Sequence, residues 1–381
     1  MSSSRNFDNV LVTGGAGFIG SHVVDLLIER GYSVKVLDML DAQVHGSASN
    51  LPDHFNDKAD MINGDIRDKN LILESLRSVD AVIHLAAAVG VGQSMYQIAH
   101  YTDVNTLGTA KLLDALVNDV KNIKKLVVAS SMSIYGEGAY KCEKCGSVHP
   151  DIRTENQLST KDWAPMCPTC QGPLEPMPTN EDHSIIPTSV YAQTKRHQEE
   201  MCLLIGRTYK IPTVALRFFS VYGPRQSLNN PYTGVCSLFS ARILSGKPPL
   251  IFEDGHQVRD FVNVRDLAHA NILALEGSDA DYMAVNVGGG RPVSILDLAN
   301  EMIKLHGSDL APQVTQQYRA GDIRHCYADI SRARKLLGYD PHVTLEQGLK
   351  ELHDWTSTRR GIVDSSDKAM DELRSHNLLT G

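Results

Sequence analysis

The stretch Asn9-Val10-Leu11-Val12-Thr13-Gly14-Gly15-Ala16-Gly17-Phe18-Ile19-Gly20 decides the fold. Its apolar start, rich in Val and Leu, reads as a buried parallel strand. Glycines end the strand, and Ser21-His22-Val23-Val24-Asp25-Leu26-Leu27 opens a helix. Strand, glycine turn and helix form the first unit of a dinucleotide-binding fold. Gly14 permits the tight turn, Gly17 lets backbone N–H groups approach a pyrophosphate, and Gly20 lets the helix pack on the strand. The helix N-terminus, with Phe18 and Ile19, faces the phosphates with its positive dipole end. A second apolar strand, Tyr32-Ser33-Val34-Lys35-Val36-Leu37-Asp38, follows. Asp38 lies roughly 20 residues past the glycines, where a carboxylate grips ribose hydroxyls. A phosphate there, about 4 Å away, would cost on the order of 4 kcal/mol at an intermediate dielectric. The expected cofactor is NAD, not NADP.

Further along, Met61 to Asp68 is a short strand ending in acids, and Asp65 and Ile66 are placed to bracket an adenine ring. The strand from Ala81 ends in Leu85-Ala86-Ala87, small enough for close approach to a flat ligand. Lys125-Leu126-Val127-Val128-Ala129-Ser130-Ser131 is the next strand. Strands alternating with helices at this spacing predict an α/β fold, a doubly wound parallel (Rossmann) sheet with ligands at the carboxyl ends of its strands.

With 381 residues the chain is long enough for two lobes. Net charge is −8 without a long basic run, which gives no electrostatic case for nucleic acid or an anionic membrane. Met1 to Asn6 carries no apolar signal region, and no stretch is apolar enough to span a bilayer. A soluble, cytoplasmic protein with reduced cysteines is expected.

Thr13 to Gly20, Asp65-Ile66-Arg67-Asp68, His84-Leu85-Ala86-Ala87, Asn105-Thr106-Leu107-Gly108-Thr109, Ser130 to Gly136 and Tyr191-Ala192-Gln193-Thr194-Lys195 occur in that order. Together they resemble the extended short-chain dehydrogenase/reductases, and most closely the nucleotide-sugar epimerases and dehydratases. The resemblance implies a smaller C-terminal substrate lobe, a homodimer, a nucleoside-diphosphate sugar as substrate and a cofactor contact at Asn105. Tyr191 and Lys195 are four apart, so they share a helix face. For Tyr191 to act as a base near pH 7 its phenolate needs about 4 kcal/mol of stabilisation. The Lys195 ammonium and a positive nicotinamide ring are the expected sources, with Ser131 holding the reacting hydroxyl.

The resemblance further implies that Val89, Gln93, Ser94, Ser133, Ser220, Asn230 and Val235 line the sugar. Arg259, Arg319 and Asp322 match the family's nucleotide-diphosphate clamp, the arginines on phosphate and Asp322 on ribose. The 4,6-dehydratases carry an Asp-Glu pair after the residue matching Ser131; here Met132 and Ser133 stand there, which favours a 4-epimerase. Gly92 matches a position where uronate epimerases tend to place arginine, which argues for a neutral or 6-deoxy hexose. The combined pattern is most similar to dTDP-L-rhamnose 4-epimerase-like proteins, with UDP-glucose or UDP-glucuronate 4-epimerases and a 4,6-dehydratase as alternatives. From a different class, an NAD-binding scaffold without turnover is opposed by the intact Ser131, Tyr191 and Lys195.

An insertion between Gly136 and Pro187 carries Cys142-Glu143-Lys144-Cys145 and Cys167-Pro168-Thr169-Cys170. Two such knuckles match four-thiolate zinc spacing, and a closed shell of soft ligands predicts a structural zinc ribbon. Two disulfides are the alternative. The expected division is an NAD-binding domain over 1–225, with the insertion at 140–178 and a return at 256–278. A nucleotide-sugar lobe follows over 226–360, then a polar tail at 361–381, either a loosely attached helix or disordered.

Overall fold

The computed structural model describes residues 7–46 and 51–381. Seven parallel strands form the central sheet: β1 (Asn9–Thr13), β2 (Ser33–Asp38), β3 (Asp60–Asn63), β4 (Ala81–His84), β5 (Lys125–Ser131), β6 (Thr213–Phe218) and β7 (Met283–Val287). Their order is β7-β6-β5-β4-β1-β2-β3. Strand order reverses between β1 and β4, so a crevice opens at their carboxyl ends.

Side-chain alternation explains the two covered faces. Val10, Val12, Val34, Val36 and Ile83 pack with Val23 and Leu27 of helix α1 (Phe18–Glu29) and with residues such as Leu267 and Ala270 farther along the chain. The intervening Leu11, Leu37, Val82 and Val128 pack with Ile72, Leu112, Leu116 and Leu203 on the other face. Leu203 belongs to helix α2 (Val190–Tyr209), and Leu267 to helix α3 (Val264–Glu276).

A separate core joins Phe239, Ile243, Leu298, Met302, Leu349 and Leu352 beyond the sheet. Residues of the expected return at 256–278, such as Val262 and Leu267, pack in the sheet's core, and later segments join them. β7 pairs with β6 at the sheet edge, and Ala333, Leu337 and Tyr339 pack into the sheet's own core.

The insertion folds as a three-stranded antiparallel sheet of Ala139–Cys142, Gly146–Val148 and Leu174–Met177. The 361–381 segment takes the helical form of the two expected. It forms helix α4 (Ser366–Ser375), with Ala369 and Leu373 buried, and a strand, Leu379–Thr380, antiparallel to Tyr318–Arg319. Its apolar residues recur at helical spacing and find a partner surface, which its polar composition conceals. Among the described residues, no helix is long and apolar enough to cross a membrane.

Candidate active site

One cavity of about 750 Å³ crosses the carboxyl ends of the sheet, from Gly14 and Asp38 past Ser131 and Tyr191 to Arg259 and Arg319. At its first end Gly14 sits at φ +71°, and a Cβ there would lie 2.8 Å from Ala86 N. A Cβ on Gly20 would lie 2.1 Å from Gly14 O, so the helix reaches the turn only as glycine. Gly17 is the N-cap of α1 and supplies no side-chain cap, which leaves the first-turn amides to a ligand. Asp38 is held in place by Ala16 N (3.0 Å, to Oδ2) and Leu40 N (2.9 Å, to Oδ1). Gly14, Gly17, Phe18, Ile19, Gly20, Asp38, Ile66, Leu85, Ala86 and Ala87 all line the cavity, as expected of residues holding a dinucleotide.

Ser131, Tyr191 and Lys195 all line the same cavity. The Ser131 hydroxyl hydrogen-bonds the Tyr191 phenol, but burial outweighs it and pushes that phenol up to about 12. The protein's own groups thus hold Tyr191 farther from a base than a free phenol. Ionising it near pH 7 needs roughly 7 kcal/mol of added stabilisation, against roughly 4 for the free group. Burial also lowers the Lys195 ammonium to about 8, offset by Cys202 and Glu199, so it is mostly cationic near pH 7.

Lys195 ends a buried chain of hydrogen bonds that the sequence reading missed. Its Nζ donates to Gln198 Oε1 (2.9 Å), and Gln198 Nε2 donates to Thr109 Oγ1 (2.8 Å). Thr109 gives its own proton to Asn105 O (2.6 Å), so His84 Nε2, 2.9 Å away, must donate to Thr109. His84 Nδ1 then accepts from Thr13 Oγ1 (2.7 Å). Burial and the Lys195 charge hold His84 neutral, with its pKa lowered to about 3. The i, i+3 spacing of Lys195 and Gln198 was the available signal.

Three expected cavity residues lie elsewhere. Asp65 does not line the cavity, because Arg67 grips both its carboxylate oxygens, at 3.0 Å and 3.0 Å from Nε. Asn105 sits behind the wall, exchanging hydrogen bonds with Ala88 (2.7 and 3.0 Å) and donating to Thr194 Oγ1 (2.9 Å). Ser94 Oγ accepts from Tyr191 N (2.9 Å), so it seats the helix that carries Tyr191. Val89, Gln93, Ser133, Ser220, Asn230, Val235, Arg259, Arg319 and Asp322 do line the cavity. Gln93 is tied to Gln43 and accepts from Tyr101 OH (2.9 Å), whose ring meets the Tyr191 ring edge-on at 6.5 Å. Arg259 donates to Val258 O, Arg324 O and Ile323 O, and Arg319 pairs with Asp322 (2.8 Å) over the Phe252 ring.

In the insertion, the Sγ atoms of Cys142, Cys145, Cys167 and Cys170 lie within 4.8 Å of one another. All four are unpaired thiols, and Cys142 and Cys170 are 3.5 Å apart at sulfur. Zinc–sulfur bonds of about 2.3 Å in a tetrahedron put sulfurs about 3.8 Å apart, so the cluster fits such an ion. Backbone N–H groups of Cys170 and Thr169 favour the Cys167 thiolate. The insertion also supplies Arg153, which no motif signals. Its buried guanidinium donates to Glu253 (2.9 Å), Trp163 O (3.2 Å) and Asp322 O (3.0 Å), tying the module to the segment expected to hold the diphosphate.

The model of the NAD dependent epimerase/dehydratase family matches residues 10–288. The dTDP-L-rhamnose 4-epimerase of Burkholderia thailandensis is 36% identical over 352 residues, covering 91% of this chain and 94% of that protein. The Thermotoga maritima UDP-glucose 4-epimerase, solved with UDP-glucose, superposes with a TM-score of 0.75 at 31% identity, covering 92% of this chain and 98% of that one. The Bacillus cereus UDP-glucuronic acid 4-epimerase, solved with UDP-glucuronic acid and NAD, gives 0.74 at 29% identity, covering 92% and 99%. The site geometry and these likenesses agree: the chain belongs to the NAD-dependent epimerase/dehydratase family and is an enzyme of its nucleotide-sugar epimerase kind.

Proposed function

We propose that the protein is a nucleotide-sugar 4-epimerase for a neutral or 6-deoxy hexose, dTDP-L-rhamnose-like, working through a transient 4-keto sugar. The carrying observation is where the cavity's acids are held. Asp38 is bonded to two backbone amides, Asp41 to Gln43 N, Glu253 to Arg153 and Arg324, and Asp322 to Arg319. Beside Ser131 stand only Met132 and Ser133, and Ser133 Oγ donates to Ser131 Oγ (2.9 Å). A 4,6-dehydratase needs a carboxyl pair there to eliminate water; an epimerase needs none.

Bound NAD supplies the acceptor and donor of hydride. Ser131 holds the sugar hydroxyl, and Tyr191 takes its proton. The Lys195 ammonium and the Ser131 hydroxyl stabilise the phenolate. Once the keto-sugar has turned over, Tyr191 returns the proton to the oxygen on the opposite face. Cys142, Cys145, Cys167 and Cys170 would hold one structural zinc through four thiolates, which would leave no position for substrate. Its role is to order the insertion and, through Arg153, the clamp.

The test is incubation with dTDP-L-rhamnose, UDP-glucose and UDP-glucuronate, with products read by mass and NMR. Equal-mass epimers from the neutral or deoxy sugar support the reading. A product lighter by one water means a dehydratase, preference for the uronate corrects the sugar, and no reaction with any of them returns the scaffold reading.

A further inference from the structure

The segment beyond residue 361 has the connections of a working part of the site. Asp364 and Asp367 receive Arg242 Nη1 (3.3 and 3.0 Å) and Lys247 Nζ (3.1 and 2.8 Å). Glu372 on α4 accepts from Tyr96 OH (3.0 Å) and from Tyr232 OH, while the two tyrosine oxygens lie 2.5 Å apart. His376 stacks on Tyr96 with centroids 4.3 Å apart and planes 8° from parallel. Past it, Leu378 O accepts from Ala320 N (3.0 Å), and Leu379 pairs with Arg319. The segment thus spans from the second core, across Tyr232 in the cavity lining, to the residues proposed to clamp the diphosphate.

Between those anchors α4 turns Ser366, Ala369, Met370 and Leu373 to the cavity. Leu373 is only 6% exposed, and a Cβ on Gly92 would lie 2.9 Å from its Cδ2. This is the reacting end. Gly90 abuts Tyr101 OH, Tyr101 bonds Gln93 and packs on Tyr191, and Ser94 seats the Tyr191 helix. Val89 and Val91 line the same end. These wall residues include no lysine or arginine, and the cavity's Lys195 and Arg242 are already engaged, by Gln198 and by Asp364, Ser366 and Asp367, so a carboxylate pressed against this wall would be desolvated without a ready partner.

Resting on the nucleotide-sugar reading, we propose that α4 is a substrate-binding element whose Leu373, laid over Gly92, and Met370, lining the same cavity, select an uncharged or 6-deoxy sugar and close its site to water. The closed wall also retains the keto-sugar. An intermediate lost to solvent leaves its two electrons on the cofactor as NADH and its hydroxyl proton with Tyr191, so leakage is visible as NADH.

Full-length Leu373→Ala and Leu373→Arg are titrated with dTDP-L-rhamnose and dTDP, then with UDP-glucuronate and UDP. Loss of apolar contact in Leu373→Ala should weaken dTDP-L-rhamnose about tenfold while dTDP stays within about twofold. Leu373→Arg should shift preference towards UDP-glucuronate, because a guanidinium then faces the carboxylate. Glu372→Gln leaves the wall residues in place but weakens the latch. It should raise KM and release NADH during turnover, read by absorbance, with folding checked by thermal unfolding. Parent-like affinities in both Leu373 variants, with no NADH from Glu372→Gln, overturn the proposal while the epimerase reading stands. A parent that neither binds nor converts any nucleotide sugar overturns both, and the parent titration alone identifies that case.

Discussion

The glycine turn, Gly14 to Gly20, and the cysteine insertion, 139–177, both hang from carboxyl ends of the same sheet, and they solve opposite problems. The turn presents backbone N–H groups to an anion by leaving side chains out. The insertion gathers four side chains, from knuckles more than twenty residues apart, around a position suited to a cation. The turn's constraints come from backbone atoms that cannot yield, such as Gly14 O beneath Gly20. Those of the insertion come from closure, and its chain between the knuckles is constrained mainly where Arg153, Leu158 and Trp163 dock. A local device fails with one atom; a dispersed one fails by loosening.

Breaking the turn should have the largest effect. Gly20→Ala places a methyl against Gly14 O, and NAD affinity measured by calorimetry should fall by about 100-fold or more, or folding should fail. An affinity within tenfold of the parent would show that the turn yields after all. Tyr191→Phe separates chemistry from both devices. Turnover should drop on the order of 100-fold or more, with NAD and nucleotide affinity unchanged. Near-normal turnover would sink the assigned role.

Opening the insertion should act more mildly. Cys142→Ser with Cys145→Ser should release the metal, lower the melting temperature and raise KM for the nucleotide sugar about tenfold, leaving NAD affinity intact. Zinc-free parent protein prepared without chelator, or an unchanged KM, would refute the coupling. A narrower version is Arg153→Lys, which keeps the charge but loses the fork that reaches both Glu253 and Asp322 O. Nucleotide affinity should fall severalfold while bound zinc stays at one per chain.

The smallest effect is a pH dependence that each region contributes. Burial lowers His84, beside the turn's Thr13, to about 3, and His183, stacked on His149 of the insertion, to about 4. Both folded values lie below the unfolded 6.5, so the unfolded chain binds more protons in between. Stability is full above about 6.5 and is lost as pH falls towards 4. The melting temperature should decline over that range, and neither imidazole should titrate by NMR above pH 5. A midpoint near 6.5 for either ring contradicts its burial.

Much of this was legible in the chain. Strand β5 has the bounds its apolar run predicts, Lys125 to Ser131. Gly14, Asp38, Ser131, Tyr191 and Lys195 reach one cavity because strand ends of a doubly wound sheet converge. Ser94 and Asn105 do not line the cavity, and a polar residue beside a site reads alike whether it faces ligand or braces a helix. Asp65 was drawn off by Arg67, two residues away, a pairing that letters alone do not decide.

By itself, then, the sequence determined what depends on neighbours a few residues apart: the glycine turn, the two cysteine knuckles, the shared face of Tyr191 and Lys195. Those follow from backbone sterics and helical or strand periodicity. Only the tertiary structure decided what depends on segments far apart in the chain. It put Arg153 against the clamp, Gln198 between Lys195 and Thr109, and Leu373 over Gly92. Such contacts carry no period and no local propensity; they exist because the cores on either side bring those surfaces within reach, and α4 is ordered by what it lands on.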